Sequence, residues 1–463
     1  MSNLMPISLR SEFGDERLDR RCEQIRTMAA ARPGLSFPRM VRTEGQREAL
    51  YRFLGNDRVT MSAMLEPHLG ATTRRMSEHA VVLAVHDTTE FSFAGEVQRP
   101  GLGLLPNGQG FLGHFALAVE PKERLPLGVI GVETLSRTTR HKLKTTEAQR
   151  RSPDRESLRW QRLVMAVEAR AAHGAIVHVM DREADAFELL AELAARKSRY
   201  VIRVQYDRQA EAKDGSLESL FSAAATAPTQ LEREVALSRR SKNRPLGPRT
   251  SHPPRAGRTA RLAVSATTLA LRRPQRRCDH LPATLTVQVV RVYEPEPPAG
   301  ETAVEWHLMT SEPVTTAAEV ATVVDYYRAR WLIEEYFKAL KLGCRYEQRQ
   351  LEGGGALLNA LALFIPVAWR LLLFRSLAQR PTPGPASLIL TPTLKEVLET
   401  MLQRELPSTA TTSDALLAIA ALGGHIKNNG WPGWLVIGRG YEDLLMFEAG
   451  WCAAARRQRS DQS

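Results

Sequence analysis

Two unbroken apolar runs stand out in the pattern of this chain. Ala80-Val81-Val82-Leu83-Ala84-Val85-His86 is apolar and β-branched up to its last residue, and Ala175-Ile176-Val177-His178-Val179-Met180 has the same character. Runs of this kind predict buried strands. Both end on acid, at Asp87-Thr88-Thr89 and at Asp181-Arg182-Glu183-Ala184-Asp185. Between them, Phe111 to Val119 and Pro126 to Glu133 predict two more strands, with a basic turn at Lys122-Glu123-Arg124. Helix-like stretches run from Glu156 to His173 and from Ala184 to Lys197, and Tyr200 to Val204 predicts a further strand. From Asp207 to Ala303 apolar and polar residues alternate, as in Thr284 to Val292, with turn signals between; this predicts a β-rich insertion. The chain from about Phe13 to about Gly70 is polar, basic and helix-like, closed by Arg74-Arg75. The stretch Leu357 to Leu373 is apolar but interrupted by Pro366 and Arg370, which predicts a core or interface helix. Pro381-Thr382-Pro383-Gly384-Pro385 reads as a linker to a small, mainly helical C-terminal domain.

The segment Asp325 to Lys341 predicts one helix. Tyr327, Arg330, Glu334, Lys338 and Lys341 follow at steps of three and four, so they share a face. Tyr326, Ile333, Phe337 and Leu340 form an adjacent apolar stripe that can dock the helix on a core. A carboxylate among cations suits a metal held beside a polyanion; it also suits a solvated face with Glu/Lys pairs worth about 0.2–0.5 kcal/mol each. Asp87 and Asp181 sit where strands leave the sheet, rigidly held yet open to a crevice, although an Asp there also serves as a turn or helix cap. Two strand-end acids plus a helical acid point to a hard divalent cation, since Mg²⁺ takes one or two protein carboxylates with phosphates and water.

Together these blocks resemble the bacterial DDE transposases of the IS-four family. Asp87-Thr88-Thr89, the Asp181 to Asp185 block and Tyr327-x2-Arg330-x3-Glu334-x6-Lys341 match its three signatures, the last without a gap. Glu12 to Arg21 and Glu48 to Leu54 resemble the family's DNA-binding domain, and Asn429-Gly430-Trp431-Pro432-Gly433-Trp434 with Arg439-Gly440 its closing motif. The resemblance implies an α/β, RNase H-like catalytic core, a mixed sheet with flanking helices, and three strands followed by two helix–strand steps have that order. The expected layout is a helical DNA-binding domain over 1–70, a catalytic domain over 71–378 with the β-rich insertion at about 207–303, and a C-terminal dimerisation domain over 386–463. It implies Asp87, Asp181 and Glu334 as catalytic metal ligands for two Mg²⁺ or Mn²⁺ ions roughly 3.5–4 Å apart. Tyr327, Arg330, Lys338 and Lys341 would grip the DNA end. Trp306 would stack on a flipped base, where an aromatic face replaces lost base stacking, or else serve as a core Trp. Arg203 would contact DNA or make a structural ion pair. One departure is His86 before the first Asp, as a group behind the site or a strand residue facing the helices.

Charge agrees with this. Lys plus Arg number 63 against 51 Asp plus Glu, with formal net charge +12, which favours a polyanionic partner. Cys22, Cys278, Cys344 and Cys452 show no metal-binding spacing and suggest no disulfide framework, which fits a reducing cytosol. No N-terminal apolar segment and no run of eighteen apolar residues suggests a membrane span. The Gly101-Leu102-Gly103 run lacks a third Gly and a following helix, so it predicts a loop, not a dinucleotide site. The Arg-rich stretch Arg239 to Arg261 suits a DNA backbone or a surface loop. The expected activity is cut-and-paste transposition of double-stranded DNA by a homodimer formed on the transposon ends, in the bacterial cytoplasm at the nucleoid. Ends would be nicked, closed as hairpins and joined through their 3′-OH groups to target DNA. The rival readings are a catalytically idle DNA-binding derivative and another RNase H-like metal nuclease.

Overall fold

The computed structural model describes residues 11–41, 43–95, 97–106, 108–137, 155–171, 175–211, 215–239, 255–275, 280–426 and 430–460. Helices α1 (Glu16–Ala31), α2 (Phe37–Met40), α3 (Glu44–Leu54) and α4 (Met61–Met76) precede strands β1 (Val82–Phe93), β2 (Gly103–Leu105), β3 (Gly108–Glu120) and β4 (Leu125–Leu135). Then come α5 (Leu158–Glu168), β5 (Ile176–Met180), α6 (Phe187–Arg196), β6 (Arg199–Arg203), β7 (Gln209–Glu211), β8 (Leu217–Ser219) and α7 (Leu220–Thr226). Strands β9 (Thr229–Leu237), β10 (Arg258–Arg272), β11 (Thr284–Tyr293) and β12 (Glu305–Thr310) follow. The last helices are α8 (Ala317–Arg328), α9 (Trp331–Lys338), α10 (Gly354–Ala378), α11 (Pro392–Leu402), α12 (Thr412–Leu422) and α13 (Trp434–Ser460). Polar residues start many of them: Asp15, Thr43, Thr60, Thr316 and Thr411 each accept a backbone N–H of the first turn.

The molecule is a mixed α/β structure of two compact units. One comprises Met1–Arg159, Met165–Ala171 and Trp331–Ser463; the other comprises Trp160–Val164 and Ala172–Arg330. In the first unit β3 pairs antiparallel with β1, β2 and β4. Its core is α10, whose apolar span is long enough to cross a membrane by composition, yet 83% of that span is buried inside the fold. The N-terminal helices close over it: Phe37 packs on Phe364, and Asn359 Nδ2 donates to the Leu54 and Val59 carbonyls. Trp369 Nε1 donates to Pro126 O on β4. At Gly128, with φ +145, a side chain would collide with Thr72 of α4, so the strand–helix approach there requires glycine. Gly440 does the same where α13 crosses α12 at Ile419.

The second unit carries a mixed sheet of order β5-β6-β12-β11-β10-β7-β8, with β9 also on β10. Only β5–β6 is parallel among these described pairs. The alternating stretch over 284–292 is strand β11, and 207–303 is strand-rich apart from α7. α6 and α7 cover one face through Leu190, Leu193, Leu220, Met309 and their neighbours.

Two expectations change, and one apolar run finds its place. β1 does not end at Asp87 but runs on to Phe93, because Phe91 and Phe93 are buried against Phe111 and Tyr346. The single helix over 325–341 is split. The turn tightens where Arg330 N donates to Tyr327 O, α9 starts afresh at Trp331, and a π-turn follows at Ala339–Gly343. The run Leu416 to Leu422 is mostly core, with Leu416, Ala418, Ile419 and Ala420 buried. Cys278, Asn429, the end of the Glu156–His173 helix and residues 240–254 of the Arg-rich stretch lie outside the described residues.

Candidate catalytic and DNA-binding residues

In the first unit, β1 is buried through His86 and opens to half-burial at Asp87, Thr88 and Thr89. Asp87 stands opposite Phe115 of β3 in the register, so the two side chains share a face. Phe337 and Tyr336 of α9 pack on Phe115 with ring centroids 5.5 and 5.8 Å away. The helix that carries Glu334 thus lies over the face that carries Asp87, and Glu334, like Asp87, is half-buried. The Asp87 carboxylate is oriented by the Thr88 N–H, at 2.8 Å.

The other face of β1 holds His86 and Thr88. His86 is fully buried, its ring 5.7 Å from His114, so it is an interior strand residue and faces away from Asp87. Burial first, and then the Arg159 charge, push His114 well below its ordinary value, against the opposing effect of a hydrogen bond with the Asp87 backbone, so its ring is neutral.

Glu335, one step round from Glu334, is a tie between helices. It receives Trp434 Nε1 at 2.9 Å and lies 2.6 Å from Lys338 and 3.5 Å from Arg375. Burial alone would raise its carboxyl; these partners outweigh burial and lower it. Lys341 reaches Glu347 at 3.4 Å and donates to the Glu90 carbonyl, three residues beyond Asp87. Lys338 pairs with Glu335 and lies over the ring of the exposed Trp331.

In the second unit, Asp181 follows five buried residues of β5 and caps a 3₁₀ turn, accepting the Glu183 N–H at 2.9 Å. The cap reading of this residue is therefore correct as local geometry. Tyr327 lies near it. Burial raises the Tyr327 hydroxyl, Arg330 and Arg203 lower it, Arg203 also hydrogen-bonds it, and Asp181 raises it. The Trp306 ring stacks obliquely on Tyr327 at 5.3 Å. Arg203 stands opposite Leu308 on β12, and Trp306 lies two residues away on the same face. Asp181, Arg203, Trp306, Tyr327 and Arg330 come from four separate stretches and gather in one place. Trp306 is half-buried rather than a core residue.

One group had no sequence signal. Asp185, within the same acidic block as Asp181, is buried; its carboxylate accepts the N–H groups of Gln205 and Tyr206 and the guanidinium of Arg208. It locks the Asp181 turn to the chain that leaves β6 just after Arg203.

The model of the transposase DDE domain family matches residues 130–365, just over half of the 463-residue chain. The chain belongs to this family. The matched stretch contains Asp181, Arg203, Trp306, Tyr327, Arg330, Glu334, Lys338 and Lys341; Asp87 lies before it. A transposase DNA-binding family model matches residues 8–59, the stretch that forms α1 to α3. The protein is thus a DNA transposase whose partner is DNA. On this stretch Arg17, Arg20, Arg47 and Arg52 are exposed cations.

DDE transposase domains generally use divalent metal ions; the Asp87 carboxylate in the first unit and the Asp181 carboxylate in the second, each held by a backbone N–H, are separately hard oxygen donors of the kind such ions take. Among the described residues no three His, Cys, Asp or Glu side chains form a ready cage. Mg²⁺ needs none, because it keeps water and substrate phosphate in its shell.

Proposed function

We propose that this transposase moves DNA by a cut-and-paste route, as the IS-four family does and as the similar Tn-five transposase does. The gathering of Asp181, Arg203, Trp306, Tyr327 and Arg330 in one unit carries the reading. In this reading Asp87, Asp181 and Glu334 are the catalytic carboxylates and hold Mg²⁺ or Mn²⁺, two ions by the family pattern. The bound ions would supply activation of the attacking oxygen and stabilisation of the leaving 3′ oxygen. The chain's own work is positional. Arg203, Arg330, Lys338 and Lys341 neutralise phosphates at the transposon end, and Tyr327 aligns one of them. Lys338 and Lys341 exchange their present partners for DNA. Trp306 offers its face to a base turned out of the stack. Water first nicks the end and frees a 3′-OH, that 3′-OH attacks the opposite strand and displaces the flanking DNA to give a hairpin, a second water cleaves the hairpin bond and regenerates the 3′-OH, and this 3′-OH attacks target DNA. Each step is an in-line displacement at phosphorus, so one constellation serves all four.

The exposed arginines of α1 and α3 read the transposon ends. A homodimer forms on those ends, and the exposed Phe447 and Trp451 of α13 are its candidate contacts with a second copy. The protein acts in the bacterial cytoplasm at the nucleoid, and the domain limits are those of the sequence reading.

The test uses linear DNA carrying the sequence that flanks the coding region. With Mg²⁺, Asp87→Asn, Asp181→Asn and Glu334→Gln each abolish cleavage while gel-shift binding persists. Wild-type rates in any one of them remove that residue from the site. Replacing Arg17, Arg20, Arg47 and Arg52 together lowers binding and its salt dependence. Deleting the first 70 residues is a poorer test, since it would strip Phe37 and the Leu54 and Val59 carbonyls from the core.

A further inference from the structure

Behind Asp87, a buried polar chain crosses from α5 to β3. Arg159 Nε donates to Thr88 Oγ1 at 3.0 Å, and Thr88 Oγ1 lies 2.9 Å from His114 Nδ1. The threonine oxygen is thereby tied to both the guanidinium and the imidazole nitrogen. Arg159 is only 8% exposed. Its Nη1 donates to Glu156 O, and the Glu156 carboxylate in turn takes Arg137. Burying a guanidinium carries a desolvation cost that apolar packing at the same place would avoid. A chain that keeps one here gains a fixed geometry rather than core stability.

The group that geometry fixes is Thr88, and Thr88 N–H is the donor that orients Asp87 Oδ1. Thr88 is pinned from two elements at once, α5 and β3, immediately beside a half-buried carboxylate on the opposite face of its strand. We propose that Arg159, acting through Thr88 and with His114, is a positioning residue that holds the Asp87 carboxylate in the orientation it needs to bind a divalent cation. This rests on the reading of Asp87 as a metal-binding carboxylate. Arg159 touches neither metal nor DNA in this role. Its removal weakens metal binding and leaves DNA-end affinity in place.

The experiment compares the full-length wild type with Thr88→Val, Thr88→Ser, Arg159→Lys and Asp87→Asn. Mn²⁺ binding is read by electron paramagnetic resonance of the free ion, DNA affinity by gel shift, and folding by circular dichroism. Thr88→Val keeps shape and strand propensity but removes the hydroxyl; it weakens Mn²⁺ binding by about tenfold, the lower end of what loss of an outer partner costs a metal site. Thr88→Ser restores the hydroxyl and binds like wild type. Arg159→Lys keeps the charge with a poorer donor geometry and falls between. If Thr88→Val and Arg159→Lys both bind Mn²⁺ within twofold of wild type while Asp87→Asn does not, the positioning role is wrong and Asp87 keeps its place. If Asp87→Asn binds Mn²⁺ like wild type, the reading of Asp87 itself fails. A Thr88→Val chain that loses Mn²⁺ and DNA binding together has a folding defect, and Arg159→Lys then decides.

Discussion

Asp185→Ala should release the segment that follows Arg203. The Asp185 side chain is fully buried, and the Arg208 guanidinium paired with it is 10% exposed. The carboxylate accepts Gln205 N–H at 2.6 Å and Tyr206 N–H at 3.0 Å, and Arg208 Nη2 also donates to the Asp185 carbonyl at 2.9 Å. Removing one partner of a buried ion pair costs about 3–5 kcal/mol, because the survivor stays buried and unpaired. Two backbone donors lose their acceptor as well, but such terms are not additive, so about 4 kcal/mol is the working figure. With about 1.4 kcal/mol per factor of ten, the Gln205 and Tyr206 amides should exchange with solvent several hundredfold faster. Hydrogen exchange read peptide by peptide is the right assay, since a two-unit chain has no single unfolding free energy. Asp185→Asn retains an acceptor and should lose about half as much. Replacing Asp185 and Arg208 together by leucine should recover much of the loss. Unchanged protection at Gln205 and Tyr206 in Asp185→Ala would refute the argument, as would a double variant no more protected than the single one.

How much of this was legible depends on whether the signal was local. The apolar runs before Asp87 and Asp181 predicted β1 and β5 because continuous burial leaves an unbroken run in the sequence. The continuation of β1 to Phe93 was also written there, as the alternation of Phe91 and Phe93 with Glu90 and Ser92, but the polar start at Asp87 masked it. The break between α8 and α9 had no Gly or Pro to announce it. A helix can tighten and restart without a breaker when each half packs on its own partners, as α9 does on Phe115 and Asp325 of α8 does on Arg233 of β9. Asp185 and Asp181 look alike in the sequence; only tertiary packing makes one a buried anchor and the other a half-exposed acid. Arg203, Trp306 and Tyr327 were picked out singly by family likeness; their gathering was not legible, since Arg203 and Trp306 lie more than a hundred residues apart and periodicity cannot join them.

Trp306→Ala should leave nicking largely intact and slow hairpin formation by about 10–100-fold, the worth of one base–aromatic stack; equal loss in both steps on a denaturing gel would argue for a packing role. Glu442→Gln should raise the melting temperature at neutral pH by about 2–4 °C. Burial, opposed by Arg345, raises this carboxyl above its ordinary value, and its Oε1 is buried with no hydrogen-bond partner. A carboxyl raised in the folded state weakens the fold as pH climbs past the unfolded value, so the gain should vanish below about pH 4, and a gain that persisted there would count against this cause. The sign reverses for His68. Its Nε2 accepts the Val129 N–H at 3.2 Å, its ring meets Trp369 at 5.5 Å, and burial first, then Arg75, push it down to about 3. The unfolded imidazole takes a proton near its ordinary value of 6.5, so the folded state binds fewer protons throughout the interval below that. The stability it contributes is complete above the unfolded value and drains away as pH falls, by up to about 1.4 kcal/mol per pH unit. Between pH 6.5 and 5 that amounts to about 2 kcal/mol, in a window where ordinary carboxylates remain ionised and cannot produce the slope. His68→Gln keeps an acceptor for Val129 and cannot titrate, so its melting temperature should fall less steeply across the window than that of the wild type, the remaining slope coming from His114, which burial also holds low. Parallel slopes for the two proteins would mean that His68 protonates in the folded state as readily as in the unfolded one, and that its burial does not hold the ring neutral.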